Sequence, residues 1–176
     1  MAAEAPQEEP ATPIKGLESV PETAQETESE PEPEPSVRLY EIPLSDELQS
    51  YTFDLCEEHG VDYEMVLALM SKESSYRPNI ISKTSDYGLM QINTINHERL
   101  EKELGITDFL DAKQNILCGV YMLGELTAKY EDLHRVLMAY NFGESGARKY
   151  VADGNSSSPY SRAIMEIRAD ILESTP

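Results

Sequence analysis

The chain has 176 residues, 33 of them acidic and 14 basic, and its formal net charge is −19. This length predicts one folded domain with an appendage. The acidic balance, without any basic stripe, excludes a nucleic-acid partner and disfavours docking on anionic lipid. No run of about 18 apolar residues occurs, so no segment is predicted to span a membrane.

The N-terminal segment, residues 1–37, differs in composition from the rest. It has no aromatic residue, seven of the eleven prolines, and ten glutamates against the single base Lys15. Its charge of −9 leaves −10 for residues 38–176. Since so few apolar residues cannot offset the entropy of ordering, we expect a disordered acidic Pro/Glu-rich linker before one folded domain. No signal peptide is recognisable, so either an export signal or anchor is missing upstream or a phage-type protein is exported by another route.

Two helices are predicted first. Ser45 is typical of an N-cap, and apolar residues recur at helical spacing as far as Gly60. Asp62 is predicted to cap the second helix, which ends just past Glu73 because Pro78 disfavours helical backbone at the residue before it. The second helix has one apolar stripe, made of Met65, Val66, Leu69 and Met70.

Irregular structure is predicted for residues 77–97, which are rich in Ser, Asn, Thr and Asp. No stretch alternates with period two for long enough to be a confident strand. We therefore predict an all-α or nearly all-α domain, with a small β-ribbon near residues 80–93.

Three further helices follow in the second half of the chain. Asp111 with Gln114 has the form of a capping box that starts the longest helix. A turn near residues 130–132 leads to the next helix. Ser158 and Pro159 are predicted to be the cap and first residue of the last one.

The cysteines and histidines do not suggest a metal site. Cys56 and Cys118 lie among apolar residues of predicted helices, which favours buried free thiols over a disulfide. His59, His97 and His134 share no ligand spacing and are predicted to be solvated or helix-end residues.

Glu73 is a candidate catalytic acid. Partial burial and the negative end of its helix both raise the pKa of a carboxyl group. An acid that stays protonated near neutral pH is what protonation of a glycosidic oxygen requires. Taken alone, a helix-end glutamate is ordinarily a solvated surface residue.

Three blocks of sequence give Glu73 a context. Glu73-Ser is followed by Ser82, then by Gly-Leu-Met-Gln at residues 88–91, then by Ala-Tyr-Asn-Phe-Gly at residues 139–143. Their order and spacing resemble the transglycosylase SLT (soluble lytic transglycosylase) domain over roughly residues 44–172. That family is lysozyme-like in fold and is similar to goose-type lysozyme.

The resemblance implies a bacterial enzyme of the cell envelope or extracellular space that cleaves the MurNAc-β-1,4-GlcNAc bond of peptidoglycan. It implies that Glu73 is the single general acid and base, that 1,6-anhydro-MurNAc ends are formed, and that no cofactor or metal takes part. It also implies a set of substrate-binding residues: Ser74, Ser82, Met90, Gln91, Tyr140, Asn141 and Tyr160.

The chain departs from the family pattern at two places. Ser85 and Asp86 replace the usual Gly-Ala, and Phe142 replaces a small residue. If the Asp86 carboxylate faced Glu73 across roughly 6.5–9.5 Å, it could orient a water for hydrolysis as a second acid. The alternative is a loop residue that satisfies backbone donors. A muramidase and a non-catalytic glycan-binding or scaffold module thus stay open beside the lytic transglycosylase.

Overall fold

A computed structural model describes residues 37–174, so the predicted linker lies outside the described residues apart from Val37. In this part of the chain the elements follow one another as α1 (Asp46–His59), α2 (Tyr63–Ser74), β1 (Asp86–Tyr87), β2 (Ile92–Asn93), a 3-10 turn (Thr94–Asn96), α3 (His97–Leu104), α4 (Ala112–Thr127), α5 (Leu133–Ala152) and α6 (Pro159–Glu173). None of the described helices is long and apolar enough to cross a bilayer.

The predicted fold class is confirmed. The two short strands form an antiparallel ribbon in which Asp86 faces Asn93 and Tyr87 faces Ile92, within the range predicted for it. Helix α3 was not predicted. It has eight residues, and its apolar repeat is limited to Leu100 and Leu104, of which only Leu100 is buried.

Helix α2 is the centre of the domain. Six consecutive residues, Met65 to Met70, are fully buried, and the helix packs against α1 and α6. A helix that is apolar all round belongs inside a protein rather than at its surface. The structure therefore corrects the prediction of a single apolar stripe, because neighbours cover α2 on every side.

The predicted helix ends are confirmed at several positions. The Ser45 hydroxyl accepts a hydrogen bond from the third residue after it, and Gly60 ends α1 in the left-handed conformation. The Asp62 carboxylate caps α2 and also receives two hydrogen bonds from Arg168, of 2.8 and 2.5 Å. That ion pair joins the start of α2 to α6, and Ser158 caps α6 as expected.

The capping box predicted for α4 is only half formed. The Asp111 carboxylate accepts from the backbone N–H of Gln114 at 2.9 Å. The Gln114 side chain does not return to Asp111; its oxygen accepts from the N–H groups of Thr107 and Asp108, at 2.7 and 3.2 Å. This prediction was wrong in its second half because the preceding loop folds back over the helix start and offers its own donors.

Asn115 of α4 holds the segment that follows β1. Its side-chain N–H groups donate to the carbonyls of Tyr87 and Phe109, both at 2.8 Å, and its oxygen accepts from the N–H of Met90 at 2.8 Å. Asn115 is fully buried, and a buried amide that is satisfied in this way fixes its partners in one geometry.

Two glycines allow this segment to approach α4 closely. A Cβ on Gly88 would lie 2.5 Å from the Asn115 side chain, and Gly88 has a φ of +73°. A Cβ on Gly119 would lie 2.2 Å from the sulfur of Met90. Larger residues at these positions would push the turn at residues 88–91 away from the helix.

The cysteines and histidines lie where they were predicted. Cys56 and Cys118 are buried and free, as a small hydrophobic residue is in a packed core. His59 ends α1, His97 begins α3, and His134 is the second residue of α5. All three histidines are thus helix-end residues.

We expect Asn115→Ala to lower the free energy of unfolding by about 2–4 kcal/mol, because it leaves two carbonyls and one N–H buried without partners. Urea denaturation measures the change. The exposed Asn79→Ala is the control, with an expected effect below about 0.5 kcal/mol. Equal effects of the two substitutions would contradict the role given to Asn115.

Candidate active site

A cleft of about 750 Å³ opens between the end of α2, the β-ribbon, α4 and α5. Five of the residues predicted from the sequence line it: Glu73, Asp86, Gln91, Tyr140 and Asn141. They come from four separate stretches of chain, so the fold brings together residues up to 68 positions apart. Pockets of this size, with a few convergent polar groups, are typical binding sites for small molecules and chain segments.

Glu73 is the penultimate residue of α2 and is partly buried. Burial raises the pKa of its carboxyl group above the ordinary glutamate value, and the negative charge of Asp86 raises it further. A hydrogen bond from Tyr160 and the positive charge of Lys72 act in the opposite direction, but the net pKa is raised. Glu73 therefore holds its proton at a higher pH than a surface glutamate does.

Tyr160 is the side chain in direct contact with this carboxyl group. It is the second residue of α6, immediately after the Ser158 cap and Pro159. Its hydroxyl donates a hydrogen bond to Oε1 of Glu73. Burial and the charge of Glu73 raise the pKa of Tyr160, so its hydroxyl stays protonated and remains a donor. The contact fixes the Glu73 rotamer from the side of α6.

Tyr140 joins α5 to the turn at residues 88–91. Its hydroxyl donates to the carbonyl oxygen of Met90 at 2.9 Å. Burial first, and then the charge of Glu73, raise the pKa of Tyr140 well above its usual value. The adjoining Asn141 is exposed. The Tyr-Asn pair thus has one residue holding the wall and one facing the open cleft.

Asp86 lies on β1, and its carboxylate is held by three side chains. One oxygen accepts from the hydroxyls of Ser82 and Thr84, at 2.6 and 2.5 Å, and the other from the Asn93 amide at 2.6 Å. Burial raises the pKa of Asp86, but these hydrogen bonds outweigh it and leave the pKa below the usual value. Asp86 is therefore an ionised cleft residue clamped by side chains, not one that satisfies backbone donors.

Four of the predicted substrate-binding residues do not line the cleft: Tyr160, which contacts Glu73 from behind, and Ser74, Ser82 and Met90. Ser74 is buried and donates to a carbonyl of its own helix. Met90 is fully buried, with its sulfur over Gly119. Ser82 points at Asp86. The side chains of Ser74, Met90 and Ser82 thus support the walls of the cleft and do not face its opening.

Gln91 does line the cleft. Its backbone adopts a positive φ of 52°, and its side-chain N–H donates to the carbonyl of Gly88 at 2.8 Å. This bond closes the turn on itself and holds the Gln91 amide at the rim.

Sequence reasoning missed several residues of the site. Two ion pairs line the part of the cleft formed by α3, α4 and α5: Arg99 with Glu125 at 3.1 Å, and Lys129 with Glu144 at 2.8 Å. Their partners are 26 and 15 residues apart, so no local pattern reveals them. The buried role of Asn115 could have been suspected, because this amide side chain lies beside the apolar residues of α4.

The residues that form the cleft also match a known protein family. The transglycosylase SLT domain family matches residues 50–161, which is more than half of the chain. The chain belongs to this family. The match includes Glu73, the ribbon, α4 and all of α5 as well as the start of α6, so every wall of the cleft lies inside the SLT domain.

The chain is similar to part of the length of two curated relatives. A membrane-bound lytic murein transglycosylase F of Desulfosudis oleivorans is 35% identical over 99 residues, covering 52% of this chain and 21% of that protein. A transglycosylase of Enterobacteria phage PRD1 is 32% identical over 90 residues, covering 51% of this chain and 32% of that protein. The chain therefore matches only between a fifth and a third of the length of these relatives.

Two solved structures share its fold. An inactive glutamate-to-glutamine mutant of the lytic transglycosylase Slt from Pseudomonas aeruginosa superposes with a TM-score of 0.61 at 14% identity, over 73% of this chain and 25% of that one. The 70 kDa soluble lytic transglycosylase of Escherichia coli gives 0.54 at 19% identity, over 69% and 22%. At such identities the likeness concerns the fold, and it confirms the all-α, lysozyme-like class.

The raised pKa of Glu73 implies that the free energy of unfolding depends on pH. A carboxyl group whose pKa is higher in the folded state stabilises the fold below its unfolded pKa, and this stabilisation is lost as pH rises through the folded value. We expect Glu73→Gln, which cannot ionise, to become more stable than the wild type as pH rises through that range. Urea denaturation from acidic to neutral pH measures the difference. A difference that shrinks with rising pH would contradict the assigned shift.

Proposed function

We propose that this SLT domain is a peptidoglycan lytic transglycosylase, which cleaves the MurNAc-β-1,4-GlcNAc bond and leaves 1,6-anhydro-MurNAc ends. The observation that carries the proposal is Glu73, a carboxyl group with a raised pKa that is held by Tyr160 inside a cleft. Membership of the family and the names of both curated relatives support it. The Pseudomonas enzyme supports it as well, because its inactive mutant has glutamine in place of a glutamate.

The reaction needs one carboxyl group that acts twice. Protonated Glu73 donates its proton to the glycosidic oxygen as the bond from that oxygen to C1 of MurNAc breaks. The 2-acetamido oxygen of the same sugar stabilises the cationic C1, as in substrate-assisted glycosidases. Glu73, now ionised, takes the proton of the 6-hydroxyl, whose oxygen bonds to C1 and closes the anhydro ring. Glu73 ends protonated, and no water is consumed.

The surrounding residues have distinct parts in this proposal. Gln91 and Asn141 bind the sugar substituents from two walls of the cleft, and Tyr140 holds those walls together through Met90. Tyr160 orients the carboxyl group of Glu73. Its hydrogen bond strengthens as Glu73 ionises, which stabilises the carboxylate that must form after proton transfer.

Asp86 is the residue on which the alternative, hydrolysis, depends. It lines the same cleft as Glu73 and its charge acts on Glu73, so it has the position that a second acid would need. Its lowered pKa and three hydrogen-bond donors make it a weak base. A weak base activates water poorly, and we therefore favour ring closure with Asp86 acting by raising the pKa of Glu73.

We further propose that the protein works on peptidoglycan strands in the bacterial cell envelope, as the printed names of the membrane-bound relatives suggest. Residues 38–176 are the catalytic domain.

The products of peptidoglycan digestion test the function. We expect anhydro-ended muropeptides by mass spectrometry, and we expect Glu73→Gln to lower their yield by at least about 100-fold because a general acid contributes that much. Reducing ends in place of anhydro ends would establish a muramidase. Retained glycan binding without any soluble fragment from the wild type would establish a non-catalytic module.

A second substitution tests the part given to Asp86. We expect Asp86→Asn to keep the anhydro product and to shift the alkaline limb of the pH–rate profile to lower pH, because Glu73 loses the negative charge that raises its pKa. Asp170→Asn, an exposed aspartate of α6, is the matched control and should leave the profile unchanged. An unshifted profile with Asp86→Asn would contradict this role.

A further inference from the structure

Large apolar side chains are exposed at four positions of the described part of the chain: Leu39, Ile81, Ile95 and Phe142. Two of them, Ile95 and Phe142, line the cleft that contains Glu73. Ile95 belongs to the 3-10 turn after β2 and is 85% exposed; Phe142 belongs to α5 and is 40% exposed. The cleft thus has apolar surface, on the 3-10 turn and on α5, to which the catalytic proposal assigns no role.

Phe142 is held in place by its own helix. Gly143, the next residue, has φ 72° and ψ 160°, which breaks the helical backbone there and is open to glycine alone. One turn later, Gly146 leaves room for Phe142, since a Cβ on Gly146 would lie 2.8 Å from the Cβ of Phe142. The Tyr150 ring packs on Phe142 with centroids 5.5 Å apart. A ring that is held in place by its neighbours and still partly exposed has surface available for a ligand.

The charges of the cleft indicate which ligand meets this ring. Its two cations, Arg99 and Lys129, are paired with Glu125 and Glu144, and the ionised Asp86 has no cationic partner in the lining. A lining whose cations are already paired offers no charge partner to the carboxylates of a peptide stem. A pyranose ring is uncharged, has an apolar face of C–H groups that fits an aromatic ring, and has hydroxyls that hydrogen-bond to carboxylates.

We propose that Phe142 is a specificity-determining residue whose ring packs against the apolar face of a pyranose of the glycan strand, with Ile95 as a second apolar contact. The proposal rests on the proposed function, because the strand must lie in this cleft to reach Glu73. It accounts for an aromatic residue directly after Asn141, where the family pattern usually has a small one.

Steady-state kinetics on soluble glycan strands test this role. We expect Phe142→Ala to raise KM by about fivefold, from the size of an aromatic contact, with kcat within about twofold. Phe142→Tyr should keep the wild-type KM. Gly146→Ala, which displaces the ring without removing it, should raise KM in the same direction, and Leu39→Ala is the equally exposed control outside the cleft. An unchanged KM in Phe142→Ala would overturn the proposal.

Fluorescence gives a readout that does not depend on turnover. The chain contains no tryptophan, so Phe142→Trp in the Glu73→Gln background introduces one reporter at the site. We expect titration with a chito-oligosaccharide to change its emission saturably. Leu39→Trp in the same background should show no change.

The outcomes separate this inference from the proposed function. Saturable binding at the Trp reporter, with no anhydro product from the wild type, would remove the proposed reaction and keep the sugar contact. Anhydro product from the wild type with no reporter response and an unchanged KM in Phe142→Ala would remove the contact and keep the reaction. A reporter that responds to a free stem peptide and not to the sugar would assign the ring to the peptide and overturn the inference.

Discussion

The complete burial of α2 is the constraint on which the rest of the structure depends. Because residues Met65 to Met70 are covered on all sides, the end of this helix is held against the other walls of the cleft, and Glu73 is partly desolvated there. Desolvation is the largest influence on its pKa. The helix that organises the core therefore also tunes the acid, and α6 supplies Tyr160 from the element packed most extensively against it.

The second wall depends on a buried amide and two glycines. Asn115 fixes the turn that follows β1, and Gly88 and Gly119 allow it to lie directly on α4. This places Gln91 at the rim and Asp86 on the ribbon in the same cleft as Glu73. Asp86 then acts at a distance, since its hydrogen-bonded, ionised carboxylate raises the pKa of Glu73 without itself being a strong base.

Much of the fold and part of the site could be predicted from the sequence, where the structure depends on residues that are close together in the chain. Three helix starts could be predicted from their N-cap residues, because a cap needs only the adjoining backbone: Ser45, Asp62 and Ser158. The resemblance placed Glu73 and Tyr160 in one site, and the structure brings them into contact. The burial of Ser74 and Met90 could not be predicted, because it depends on which helices cover them. The Arg99–Glu125 pair and the side-chain clamp on Asp86 likewise need the tertiary fold.

The fold raises the pKa of Glu73, and the most direct measurement of this effect is a carbon-detected NMR titration of the Glu73 side-chain carboxyl in the intact protein. We expect Glu73 to titrate above the ordinary glutamate value, which is about 4.3, and above the exposed glutamates of the same spectrum. Titration at or below that value would contradict this expectation, because the Glu73 carboxyl would then give up its proton as readily as a surface glutamate does.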